Sequence, residues 1–151
     1  MAQRLCAVDG VGHQAWLAWV GCGEGAVVIG EARFVVSADG RSAELAIAVD
    51  DAWHGQGLAD ALMRNLLEAA AAVGVSELYG EVLGDNPRMQ AFMRRHGFGA
   101  EAHTHGDELR MTRDLSDTAA RQSTGGLLTW LRVALGGCWA VPGLRPRLSQ
   151  A

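Results

Sequence analysis

The run Trp53-His-Gly-Gln-Gly-Leu-Ala59 sets two glycines between an alternating stretch and a helical one. Glycines allow a backbone to approach a ligand closely. A helix start adds unpaired N–H groups and the positive end of its dipole, which suit a pyrophosphate. Residues 54–59 therefore read as a backbone cradle for a phosphate-bearing cofactor. His96, His103 and His105 raise the question of a metal, but their spacing is irregular and the last two fall in an expected hairpin. The three cysteines, Cys6, Cys22 and Cys138, show no metal-ligand spacing either. No metal site is expected.

A cradle needs a strand before it and a helix after it. Residues 43–49 alternate, with Leu45, Ile47 and Val49 on one face and Glu44, Ala46 and Ala48 on the other. The second face is small apart from Glu44, so a ligand could lie against it. Residues 57–73 read as a helix with Leu58, Leu62, Leu66, Ala69 and Val73 in one stripe and Gly74 placed to stop it. Residues 76–83 return as a strand, so strand, helix and strand suggest a parallel crossover. Asn86 is placed to cap a second helix, with Pro87 at its first position, Met89, Phe92, Met93 and His96 on one face, and Gly97 past its end. Strands over 14–20 and 26–37, with a turn at Asp39-Gly40, precede the alternating stretch. A closing hairpin over 98–115, turning near Gly106-Asp107, follows the second helix. Trp16, Trp19 and Trp53 read as packing residues or as walls on the acceptor side.

With 151 residues, one domain with a real core is the default. Hydrophobic residues make up 49% and charged residues 20%, as in ordinary globular proteins. All 13 basic residues are arginine. Residues 1–115 hold 9 Arg against 16 acids, a charge of −7, while residues 116–151 hold 4 Arg against 1 acid, a charge of +3. An acidic body argues against nucleic acid as a partner and is compatible with a basic acceptor. Sparse, odd cysteines point to reduced thiols and a cytoplasmic setting. No signal peptide is read, and the apolar stretch near Leu127–Val141, interrupted by Arg132, falls short of a membrane span. From Ser116 the composition shifts to Ser, Thr, Gly and Arg. Residues 116–151 therefore read as an appendage to a 1–115 domain, either partly disordered or carrying a short docking helix.

The run Glu44-Leu-Ala-Ile-Ala-Val-Asp-Asp-Ala-Trp-His-Gly-Gln-Gly-Leu-Ala59 resembles the acetyl-CoA-binding motif of the GCN5-related N-acetyltransferases (GNAT). The run Asn86-Pro-Arg-Met-Gln-Ala-Phe-Met-Arg-Arg-His-Gly-Phe98 resembles that family's second motif, and Met111-Thr-Arg-Asp-Leu115 is similar to its last strand. Two motifs in order, with a helix and a strand between them, are more specific than either alone. The resemblance covers roughly residues 14–115 and comes nearest to the bacterial protein-lysine acetyltransferase branch. It implies an α/β (α+β) fold: a mixed, mostly antiparallel sheet with a central parallel crossover, flanked by helices. It also implies acetyl-CoA as cosubstrate. Ile47, Ala48 and Val49 match the strand that pairs with the pantetheine arm. His54, Gly55, Gln56, Gly57, Leu58 and Ala59 match the pyrophosphate loop, and Asn86 matches a further cofactor contact.

The implied reaction is direct attack of an amine, on a protein lysine or a small molecule, upon the thioester. A base must take the amine's proton. Glu44, on the small face of the motif strand, is the candidate, and it resembles a glutamate at this position in that branch. A strand-edge glutamate of ordinary acidity is the alternative, and Glu81 is second choice. Three departures stand out. His54 occupies a position that is usually Gln or Arg. Met93 replaces a tyrosine that resembles a general acid. The part ahead of the first strand pair, which normally helps build the acceptor site, is short. The last two keep a non-catalytic acetyl-CoA-binding regulatory module as the rival reading, and leave room for a homodimer or a partner domain to complete the site.

Overall fold

Period-two patterning in the central strands decides which sheet face is buried. The computed structural model describes residues 12–21, 23–105 and 107–116. In chain order these form β1 (His13–Val20), β2 (Val27–Val36), β3 (Ser42–Val49), α1 (Leu58–Ala72), β4 (Glu77–Leu83), α2 (Pro87–Arg95), β5 (Gly99–His105) and β6 (Glu108–Asp114). Ala32 and Phe34 of β2, Ala43 and Leu45 of β3, Leu78 and Val82 of β4, and Met111 of β6 all point into the core. Their neighbours Glu44, Ala46 and Ala48 on β3 and Glu77 and Glu81 on β4 are exposed on the opposite face.

The six strands make one sheet in the order β1-β2-β3-β4-β6-β5. The β3–β4 pair is parallel, through the α1 crossover, and the other four are antiparallel. The expected mixed sheet with a central parallel crossover is thus the fold that forms. The apolar stripe of α1 (Leu58, Leu62, Leu66, Ala69, with Met63 and Ala70) closes the core. From α2 come Phe92 and Met93.

Both helices end in the same way. Gly74 and Gly97 take φ of +86° and +81°, the left-handed conformation that glycine adopts without penalty. Val75 N–H reaches Ala70 O at 3.0 Å and Phe98 N–H reaches Met93 O at 3.1 Å, the six-to-one bonds of a Schellman stop. This stop corrects one expectation: Val73 lies past the helix and is exposed, and Val75 takes the buried place. At the other end of α2, Asn86 Oδ1 accepts from Met89 N–H at 3.0 Å. The appendage expected over 116–151 lies outside the described residues beyond Ser116, as do Gly106 of the expected last turn and the histidine side chains of β5.

If Asn86 is the cap that starts α2, Asn86→Ala should lower unfolding free energy by about 1 kcal/mol in urea titrations. Unchanged stability would contradict the cap.

Candidate functional site

Strand pairing builds the site. Asp50 N–H donates to Ile29 O at 3.0 Å, on the β2 side. Because peptide groups alternate along a strand, Ala48, Ala46 and Glu44 also direct theirs to β2, while Ile47 and Val49 direct theirs toward β4. The β3–β4 register runs Ser42↔Glu77, Ala43↔Leu78, Glu44↔Tyr79 and stops there. Ile47 and Val49 therefore face β4 beyond the last pair, along an opening whose apex lies at Glu44 and Tyr79. Glu44 is exposed on the outer face at that apex.

At the open end the chain turns into α1. Asp50 Oδ1 accepts from Ala52 N–H at 2.9 Å and starts the short turn Asp51–Trp53, whose indole is buried. His54 Nε2 lies 2.8 Å from Val49 O, and its Nδ1 lies 3.2 Å from Asp51 Oδ1. Both partners are acceptors. The imidazole thus braces the loop against the end of β3 and turns neither nitrogen outward. Gln56 Nε2 donates to Ala52 O at 3.3 Å, a second brace.

Gly55 and Gly57 sit at φ +73° and +80°, and a Cβ built on either would meet no heavy atom within 4 Å. That pattern of open, left-handed backbone is what a cradle requires. Gly57 precedes α1 with no side-chain cap. The first intrahelical bond is Ala61 N–H to Gly57 O at 3.0 Å, so the N–H groups of Leu58, Ala59 and Asp60 have no partner within the helix. These donors and the helix dipole fit the phosphates of a cofactor.

Asp60, in the first turn of α1, would repel such an anion if it stood alone. It does not: its Oδ1 lies 2.8 Å from His96 Nε2 and 3.2 Å from Arg95 Nη2, both at the end of α2. Partial burial pushes the Asp60 carboxyl up, but the hydrogen bonds and charges of His96 and Arg95 outweigh it, and the net shift is down.

Asn86 lies at the same sheet end as the loop, because each follows the C-terminal end of one strand of the parallel pair. Its side-chain oxygen serves the α2 cap, which leaves its amide hydrogens for other partners. Glu81 faces Arg110 across the β4–β6 pair, away from the apex. Tyr79, the neighbour of Glu44, and Arg110, which covers the Tyr79 ring, escaped the sequence reading. Tyr79 pairs with Glu44 in register, and Arg110 lays its guanidinium 3.6 Å from the Tyr79 ring centre. The signal was present, since Tyr79 is the chain's one tyrosine and shares a strand face with Glu81. Trp16 packs on Phe34, whereas Trp19 is exposed on the edge strand.

An open cleft of about 570 Å³ lies elsewhere, between the end of β4, α2 and the β5–β6 turn. Asp85, Asp107 and Glu108 line it, so it is ill suited to phosphates. Among the described residues, no group of three or more His, Cys, Asp or Glu gathers as a metal site would need. Nor is any described helix long and apolar enough to cross a membrane.

The Acetyltransferase (GNAT) family matches residues 6–98. The chain is 36% identical over 100 residues to Acetyltransferase Pat of Mycolicibacterium smegmatis, covering 64% of this chain and 29% of that protein. It thus spans less than a third of that relative's length. Among solved structures it is similar to the GNAT domain of S. lividans PAT, with a TM-score of 0.66 and 26% identity, covering 75% of this chain and 66% of that one. It also shares the fold of yncA of Salmonella typhimurium, solved with acetyl-CoA. There the TM-score is 0.53 and the identity 24%, covering 64% of each chain.

The Asp60 pairing gives a pH dependence of definite sign. A carboxyl held lower in the folded chain than in the unfolded one stabilises above the ordinary carboxylate range and loses that contribution as pH falls through its native value. Acid unfolding of Asp60→Asn should therefore be shallower below about pH 4. The gap at neutral pH should stay below about 1 kcal/mol, because this carboxylate is half exposed. Identical acid limbs would contradict the pairing.

Proposed function

The chain belongs to the GNAT acetyltransferase family, and from that premise we propose that it transfers an acetyl group from acetyl-CoA to an amine. One observation carries this reading: the β3 edge opens beyond Glu44, between a carboxylate at the apex and a backbone cradle at the mouth. Acetyl-CoA would supply an acyl group already activated as a thioester. Everything else falls to residues of this chain.

The N–H groups of Leu58, Ala59 and Asp60, with Gly55 and Gly57 clearing space, are the donors for the pyrophosphate. His54 and Gln56 act by bracing that loop. The Ile47 peptide group and the Val49 N–H, on either side of Ala48, are free to pair with an amide-bearing arm in the manner of an added strand, while Val49 O holds the His54 ring. The amide hydrogens of Asn86 are available near the same mouth. At the apex, Glu44 accepts the proton of the attacking amine as the carbon–nitrogen bond forms and the carbon–sulfur bond breaks. A thiolate leaves readily near neutral pH, so the place held by Met93 needs no acid. Positioning and a β3 backbone N–H on the carbonyl supply most of the acceleration.

The acceptor is a protein lysine or a small amine. Exposed Glu44, Glu77 and Glu81 on the outer sheet face favour a cationic acceptor. The cytoplasmic setting drawn from the sparse cysteines, and a 1–115 domain carrying a separate tail, belong to the same reading.

Calorimetry with acetyl-CoA and thiol release with a panel of amines and peptides test it. The chain has no lysine, so thiol release reports the added amine rather than side-chain self-acylation. Glu44→Gln should bind acetyl-CoA normally and lose about 10²-fold or more in turnover. Unchanged turnover removes Glu44 as the base. Binding with no thiol release across the panel favours the non-catalytic module, and no binding overturns both readings.

A further inference from the structure

Beyond the last β3–β4 pair the inner side of the opening is not empty. Gly80 is the next β4 residue after Tyr79, and it faces the core, paired across the sheet with fully buried Met111. A Cβ on Gly80 would stand 3.3 Å from Leu45 Cγ, Leu45 Cδ1 and Met93 Cε. Two side chains, one from β3 and one from α2, therefore close over a position that has no side chain of its own. Met93 is 1% exposed and Leu45 7%. The apex thus has two unlike sides: the Glu44 carboxylate outside, and a closed apolar floor of Leu45, Gly80 and Met93 inside.

We propose that Met93 and Leu45, closing over Gly80, form a floor that limits the transferred acyl group to a short chain, admitting acetyl and rejecting butyryl. This rests on the acyl-CoA reading above. An amine that gives its proton to Glu44 approaches from the outer face. The alkyl tail of the acyl group then turns to the inner side, where the floor is already packed to contact. Added methylenes must displace Leu45 or Met93, and overpacking of a filled core is unfavourable. Met93 is the side chain that sets the limit. Its unbranched thioether reaches the sheet from α2, and its terminal methyl would stand 3.3 Å from a Cβ on Gly80. Gly80 matters for the opposite reason, because a side chain there presses on Leu45 and Met93 and crowds the floor further.

Calorimetry on the full chain with CoA, acetyl-CoA and butyryl-CoA reads this directly. The wild type should bind acetyl-CoA about tenfold or more tightly than butyryl-CoA. Met93→Ala should bring the two within about threefold, since the removed tip makes room for the added methylenes. Gly80→Ala should weaken acetyl-CoA severalfold and leave CoA unchanged. Equal wild-type affinities for the two esters, or a folded Met93→Ala that keeps the wild-type ratio, would overturn the proposal. Should Met93→Ala fail to fold, Gly80→Ala decides: an unchanged ratio of acetyl-CoA to CoA overturns the floor. Failure of all three ligands to bind the wild type is a different result and removes the acyl-CoA reading itself.

Discussion

The site depends on strands β3 and β4 being joined at one end only. Their parallel ladder ends at Glu44↔Tyr79, whereas β2 pairs with β3 along nearly the whole of its length. Leu45 and Met93 meet at Gly80 directly past the last pair and occupy the core side of the gap. Peptide groups seldom stay unpaired away from water. A strand edge that stops pairing inside a sheet must meet solvent or a ligand that can stand in for a strand. The opening supplies such an edge at Ile47 and Val49, and the crossover into α1 fixes what lies at its mouth.

Charge matching keeps that mouth suited to an anion. The chain is acidic overall, and two of its acids, Asp51 and Asp60, sit beside the loop. Asp51 is turned to solvent, 3.2 Å from the His54 ring, and Asp60 is paired with Arg95 and His96. The Asp60 pairing also ties the start of α1 to the end of α2. The helix whose N–H groups face the mouth is thereby locked to the helix whose Met93 closes the apex.

Much of this was legible in the residues. The alternation of 43–49 announced which face of β3 is buried. Gly74 and Gly97 announced both helix ends, and Asn86-Pro87 announced the start of α2. What could not be read was where pairing stops. Alternation encodes which way a side chain points but not how far a neighbouring strand follows. Nor does it show that Met93, on a helix thirteen positions along from Gly80, reaches back to the sheet just past that limit. The loop histidine shows the same gap. Its place in the motif set it in the pyrophosphate loop without saying what its ring touches, and Val49 and Asp51, which hold the ring, are partners that only the fold identifies. Tyr79 and Arg110 came together across strands whose order in the sheet is not their order in the chain.

The central claim is that an acyl-CoA lies in the β3–β4 opening, with its phosphates at the loop. Backbone amide NMR of the labelled chain, titrated with acetyl-CoA, tests it most directly. The account predicts that the largest shifts cluster at Ile47, Val49 and residues 55–60, with smaller ones at Tyr79 and Gly80. Shifts centred instead on the acidic cleft around Asp85, Gln90 and Asp107, with 47–60 unmoved, would contradict it.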